Sequence, residues 1–113
     1  MQYMILVYSG ENADRTPSEI ETVVAAHMKL SQDLRDSGMV IHQSRLRHSD
    51  DARTVRIKDG ARAVHDGPFP ETREQLGGYY LIEVPDMDAA LTWANRVPLF
   101  EGAGVEVRPL WAM

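Results

Sequence analysis

A single α+β domain is predicted by three features of this sequence. The chain has 113 residues. Two helix-period segments alternate with strand-period ones, and two of the strand-like runs are apolar on both faces. A chain of this size buries one core, about two-thirds of the surface that its unfolded form exposes. It is too short for a doubly wound dinucleotide-binding domain with a substrate domain, or for a barrel of eight βα units. No repeat or low-complexity run divides it, so residues 1–113 are read as one domain.

The run QYMILVY at residues 2–8 alternates as a strand, with Tyr3, Ile5 and Val7 on one side and Met4, Leu6 and Tyr8 on the other. Apolar residues on both sides predict cover on both faces. Gly10 to Arg15 is a polar connection, and Thr16-Pro17-Ser18-Glu19 starts a helix. Threonine caps, proline suits the first helical position, and glutamate three residues on completes a capping box. The helix runs to about Ser37, where Gly38 supplies a left-handed stop. Its apolar stripe holds Ile20, Val23, Val24, Leu30 and Leu34, with His27 near the middle and Ser31 beside it. A purely structural helix would carry leucine at those two positions.

Val40 to Arg47 reads as the next strand. Thr54–Lys58 and Ala61–His65 flank Asp59-Gly60, a two-residue hairpin signal that sets Val55 opposite Val64 and Thr54 opposite His65. Asp66-Gly67-Pro68-Phe69-Pro70 must leave the strand, because two prolines cannot donate to a ladder. In Gly78–Val84, Tyr80, Ile82 and Val84 share one face and Tyr79 and Leu81 the other. Asp86 caps a second helix with the stripe Met87, Ala90, Leu91 and Ala94, and Pro98 ends it. Val105 to Leu110 forms the last strand. Two βαβ halves on an antiparallel sheet make a ferredoxin-like βαββαβ sandwich with an inserted β-hairpin. Both helices cover one sheet face, and the apolar opposite face predicts a homodimer packed through its sheets.

With 12 basic and 17 acidic residues the formal net charge is −5, which argues against a nucleic-acid partner. The absence of cysteine removes disulfides, thiolate metal sites and a cysteine nucleophile. Met4 to Tyr8, the longest apolar run, is too short to span a membrane. No basic segment precedes the first strand, so a cytoplasmic protein without a membrane partner is expected. Between residues 45 and 62, Arg45, Arg47, Arg53, Arg56, Lys58 and Arg62 outnumber Asp50, Asp51 and Asp59. That excess either attracts an anion or is the solvated edge of the hairpin. His42, His48 and His65 lack metal-ligand spacing, and Asp86-Met87-Asp88 lacks the rest of a calcium loop. Gly77-Gly78 precedes a strand instead of opening a helix, so it is no phosphate loop. No metal and no cofactor are expected.

The run DGPFPETREQLGGYYLIEV at residues 66–84 resembles the signature of the YCII-related family, specifically its DGPF-domain branch. YMILVY near the start, PDMDAALTWANRVP at 85–98 and VEVRP at 105–109 extend the likeness over essentially the whole chain. The resemblance implies a dimeric α–β barrel of ferredoxin-like subunits. It also implies a His-Asp pair in a cleft, similar to that of muconolactone isomerases and related dehydrochlorinases. His27 matches the family's histidine on the first helix. The acidic partner lies near the end of the first strand, where this chain reads Tyr8-Ser9-Gly10-Glu11; Glu11 stands in for the missing aspartate, or the pair is absent. Many members of the branch lack the helix histidine, and many are encoded near extracytoplasmic-function sigma factors.

His27 and Asp66 are the candidate catalytic residues, and Tyr8, Ser31, His42, Arg45, Phe69, Arg73 and Tyr79 the candidate substrate contacts. His27 reads either as a general acid or base, its ordinary pKa lying near cellular pH, or as a core histidine bonded to Ser31 or a buried tyrosine. Asp66 either orients an imidazole or ties the turn through its downstream amides. Arg45 and Arg73 can clamp a carboxylate, and Arg73 can instead pair with Glu71 or Glu74. Phe69 is a possible apolar lid, while Tyr8 and Tyr79 line an aromatic pocket or pack an interface. Three functions stand open: a cofactor-free enzyme moving a proton on a small anionic or lactone-like metabolite; a non-catalytic ligand-binding or accessory protein, linked through the resemblance to sigma-factor signalling; and a purely structural oligomer with His27 as packing.

Overall fold

The computed structural model describes residues 1–11, 14–69 and 72–112. Its order is β1 (Gln2–Gly10), α1 (Pro17–Ser37), β2 (Val40–Arg45), β3 (Arg53–Lys58), β4 (Ala61–Asp66), β5 (Glu74–Glu83), α2 (Met87–Ala94) and β6 (Gly104–Pro109). A four-stranded sheet runs β2-β5-β1-β6 with every neighbour antiparallel. β3 and β4 form a separate two-stranded sheet. This is the ferredoxin-like α+β arrangement with its inserted hairpin. Among the described residues no helix is long and apolar enough to cross a membrane.

Local chemistry sets the boundaries. Thr16 Oγ1 accepts from the Glu19 amide at 3.1 Å, and Gly38 closes α1 at φ 72°. Asp86 caps α2 by accepting from the Ala89 amide at 2.9 Å. Asp59 and Gly60 turn the hairpin at φ 52° and 80°, the doubly left-handed geometry that joins two twisted strands, and Val55 pairs with Val64. β5 begins at Glu74, four residues before the start that its alternation predicts. The ladder continues past a bulge between Val7 and Tyr8, so that Leu76, Gln75 and Glu74 pair with Tyr8, Ser9 and Gly10. β2 ends at Arg45 rather than Arg47, and a short 3₁₀ turn at Ser49–Asp51 leads into the hairpin.

Tyr3, Ile5, Tyr80, Ile82 and Val84 rise from one sheet face against Leu30, Leu34, Ala90, Ala94 and Val97. The predicted stripe of α1 is only half used. Leu30 and Leu34 are buried, but Ile20 and Val24 remain 47% and 42% exposed. Twenty-one helical residues span about 31 Å, so the first turns extend beyond the part of the sheet that packs on Leu30 and Leu34. On the opposite sheet face Met4, Leu6, Tyr8, Tyr79 and Leu81 are half-buried. At Gly78, β2 comes so close that a Cβ there would lie 2.9 Å from the Ser44 carbonyl oxygen.

Leu34→Ala is expected to lower unfolding free energy by about 2–5 kcal/mol in urea, because it empties a closed site. Ile20→Ala, at an open position, is expected to cost roughly 0.5 kcal/mol or less in the same measurement.

Candidate functional site

α1 faces the sheet with His27 and, one turn later, Ser31, and the central strand β5 raises Tyr80 toward both. His27 Nδ1 lies 2.8 Å from the Tyr80 hydroxyl. The Ser31 hydroxyl lies near the Tyr80 oxygen, and the Pro98 carbonyl lies near the His27 ring. In the neutral imidazole that carries its proton on Nε2, Nδ1 accepts from the Tyr80 hydroxyl. Gln43 on β2 reaches the Ser31 carbonyl at 3.5 Å, and its Oε1 is buried without a partner among the described residues.

Arg45 pairs in register with Gly78, two residues before Tyr80, and so sits on the same sheet face as the imidazole. Burial lowers the His27 pKa most, and the Arg45 charge lowers it further; the Pro98 carbonyl pulls the other way. Burial raises the Tyr80 pKa, against a smaller opposing effect of the Ser31 hydroxyl. The pair is therefore held neutral: an imidazole with a phenol on its lone pair and a guanidinium nearby. A proton delivered to this imidazole is weakly held, which suits a group that must return it.

The other candidates fall into three places. His42, Tyr79 and Tyr8 lie on the opposite sheet face, where the Tyr79 hydroxyl meets His42 Nδ1 at 2.7 Å and the rings stack with centroids 5.6 Å apart. Asp66 and Phe69 line a cleft on the hairpin; Asp66 is 90% exposed and pairs with Arg53 at 3.1 Å, away from His27. Arg73 is exposed in the bend before β5. Glu71 and Pro70 lie outside the described residues. Thus only His27, Ser31 and Arg45 come together. Glu11 is engaged elsewhere, taking the Ser49 amide at 2.7 Å and His48 Nε2 at 3.1 Å, which ties the end of β1 to the β2–β3 connection. Tyr80 occupies the place at His27 that an acid was expected to fill. It is the buried tyrosine that the core reading of His27 expects; the apolar alternation of β5 does not mark which tyrosine that is, although Tyr80 shares a face with Ile82 and the predicted helix stripe packs on that face. Gln43 carries no sequence signal for the site, and Pro98 carries only that of a helix end. Among the described residues no cluster of three or more His, Asp or Glu is placed to hold a metal.

The fold lowers the His27 pKa below 6.5. Its contribution to stability is therefore present above pH 6.5 and lost as pH falls through the folded value. His27→Phe is expected to flatten that acid limb in urea titrations across the window. Arg45→Gln is expected to raise the His27 pKa toward 6.5, read by nitrogen-15 NMR of the imidazole. Gly78→Ala, by pushing back the Ser44–Arg45 backbone, is expected to move it in the same direction.

A family description of the YCII-related domain matches residues 1–113. The "Uncharacterized protein R00369" of Rhizobium meliloti (strain 1021) is 34% identical over 114 residues, covering 97% of this chain and 92% of that protein. The match spans the sheet, both helices and the inserted hairpin together. This chain belongs to the YCII-related family.

Proposed function

We propose that the protein is a cofactor-free proton-transfer enzyme of the DGPF branch, acting in the cytoplasm on a small anionic, lactone-like metabolite. The observation that carries this reading is the 2.8 Å contact between a half-buried, neutral His27 and Tyr80, with the Arg45 charge close enough to depress the imidazole pKa. In this mechanism Arg45 holds the substrate anion. The substrate's acidic proton passes to the Tyr80 oxygen as the Tyr80 proton moves to Nδ1, which leaves an imidazolium opposite the developing negative charge. Repulsion from Arg45 then favours return of that proton to a different substrate atom.

A second reading, a ligand-binding protein without turnover, is favoured by one observation: the His27 Nδ1 already has a partner inside the fold, the Tyr80 hydroxyl. The two separate in one experiment. Small lactones and their hydroxy-acid anions are incubated with the protein in deuterated water, and proton exchange is followed by NMR. Exchange that disappears in His27→Gln and falls sharply in Tyr80→Phe is the expected result for an enzyme. Saturable shifts of the His27 resonance with no exchange in any candidate support binding alone and overturn the catalytic reading.

The functional unit in this proposal is a homodimer joined through the open sheet faces. A compact chain of this size has a radius of gyration of about 13 Å and exposes about 6,200 Å². This one has 15.9 Å and 8285 Å². The surplus is of the size that obligate partners cover, and it includes Trp111, 91% exposed, and Val64, 70% exposed. Sedimentation at micromolar concentration is expected to show twice the chain mass of 12.7 kDa. Leu6→Glu, a charge on the open sheet face, is expected to shift it to a single chain. A parent protein that sediments as one chain overturns the dimer.

A further inference from the structure

The hairpin carries a basic surface that the His27 site does not use. Thr54, Arg56 and Lys58 alternate onto one face of β3, and register sets His65, Ala63 and Ala61 opposite them. The two alanines leave the space beside Arg56 and Lys58 open. The turn after β4 then folds back over the near end of this trough. Gly67, at φ 95°, donates to the Ala52 carbonyl at 2.8 Å, and the Thr54 hydroxyl donates to the Gly67 carbonyl at 2.7 Å. Arg56 Nη2 donates to the Phe69 carbonyl at 3.1 Å, with its guanidinium 4.4 Å from the Phe69 ring centroid. The result is a cleft of about 660 Å³, within the size range of small-ligand sites.

Its charge is unbalanced. Neither the Lys58 ammonium nor the His65 ring has a hydrogen bond or ion pair among the described residues, and Arg56 spends one side-chain N–H on Phe69. Among the described residues the one carboxylate lining the cleft, Asp66, is taken by Arg53 at 3.1 Å. Arg56 and Lys58 are next-but-one neighbours on a strand, about 7 Å apart at the backbone, and His65 is diagonal to Arg56, so their long side chains can reach one anionic group. The guanidinium is already fixed on the Phe69 ring, which lowers the ordering cost of binding. Phe69 is 62% exposed, so its ring edge and Pro68 offer an apolar wall beside the charge.

We infer that this trough binds the phosphate of a small phosphorylated aromatic compound. Arg56, Lys58 and His65 donate to the phosphate oxygens, and Phe69 and Pro68 pack on the ring. The acidic chain as a whole, at −5, disfavours a nucleic-acid polymer and leaves a small ligand as the occupant. The site is independent of the His27 cluster.

The test titrates the full chain with phenyl phosphate, inorganic phosphate and benzoate at low ionic strength, by calorimetry and by amide chemical shifts. Phenyl phosphate is expected to saturate one site per chain, with shifts centred on residues 54–69. Inorganic phosphate and benzoate are each expected to bind more weakly. Lys58→Met leaves the bonds that pin the turn in place and is expected to weaken phenyl phosphate about tenfold, as loss of one charge-assisted contact does. Arg56→Gln and His65→Gln are expected to weaken it too. Arg62→Gln, on the other hairpin face, and His27→Gln are expected to leave it unchanged. No saturation at millimolar phenyl phosphate, equal binding in Lys58→Met, or benzoate binding as well as phenyl phosphate each overturns the assignment. Inorganic phosphate binding as tightly as phenyl phosphate overturns the aromatic part of it.

Discussion

β1 is hydrogen-bonded along both edges, to β5 on one side and β6 on the other, and the remaining architecture is hung from that double pairing. Its inward row, Tyr3 and Ile5, supplies the floor on which Leu30, Leu34 and Ala90 pack. Its pairing with β5 sets Ile5 beside Tyr80, and so decides that the Tyr80 hydroxyl rises on the helix side. Slip that register by one residue and Tyr79 would face His27 while Tyr80 joined the opposite surface. The buried apolar rows on both strands make such a slip costly, and the hydrogen bond at His27 inherits its precision from them.

The edge strand β2 is placed by β5 in turn, and its approach depends on an absence. Gly78 has no side chain to hold off Ser44, so the end of β2 lies close and Arg45 stands over the same face as the imidazole. Glu11 and His48 fasten the far side of the same corner, between the end of β1 and the 3₁₀ turn. The cluster thus draws on α1, β2, β5 and the turn at Pro98, which is why its electrostatics belong to the fold and not to any one motif.

Much of the fold was legible because its signals are local. Thr16 with Glu19, Gly38, Asp59-Gly60 and Asp86 each fix a boundary through a neighbour a few residues away, and the structure shows those boundaries. The start of β5 was not legible, since Glu74 to Gly77 is strand only because β1 continues opposite it beyond a bulge. The site divides in the same way. His27 and Ser31 announced themselves as polar residues in an apolar stripe. Tyr80 looked like core and is core, with only its hydroxyl engaged. That Glu11 turns toward His48 depends on a contact 37 residues away in sequence, which no spacing encodes.

The double pairing of β1 also has a temporal side. A chain made from its amino terminus produces β1 first, yet its partners are residues 74–83 and 104–109, near the other end. Until those emerge, a strand apolar on both faces has two open edges, the condition under which chains pair with one another instead of with themselves. The hairpin β3–β4 closes locally and α1 is well capped, so both can form while β1 waits. Folding of the sheet is then governed by the slow return of the last strand to the first, and crowding on the ribosome bears hardest on the segment that later becomes the best protected.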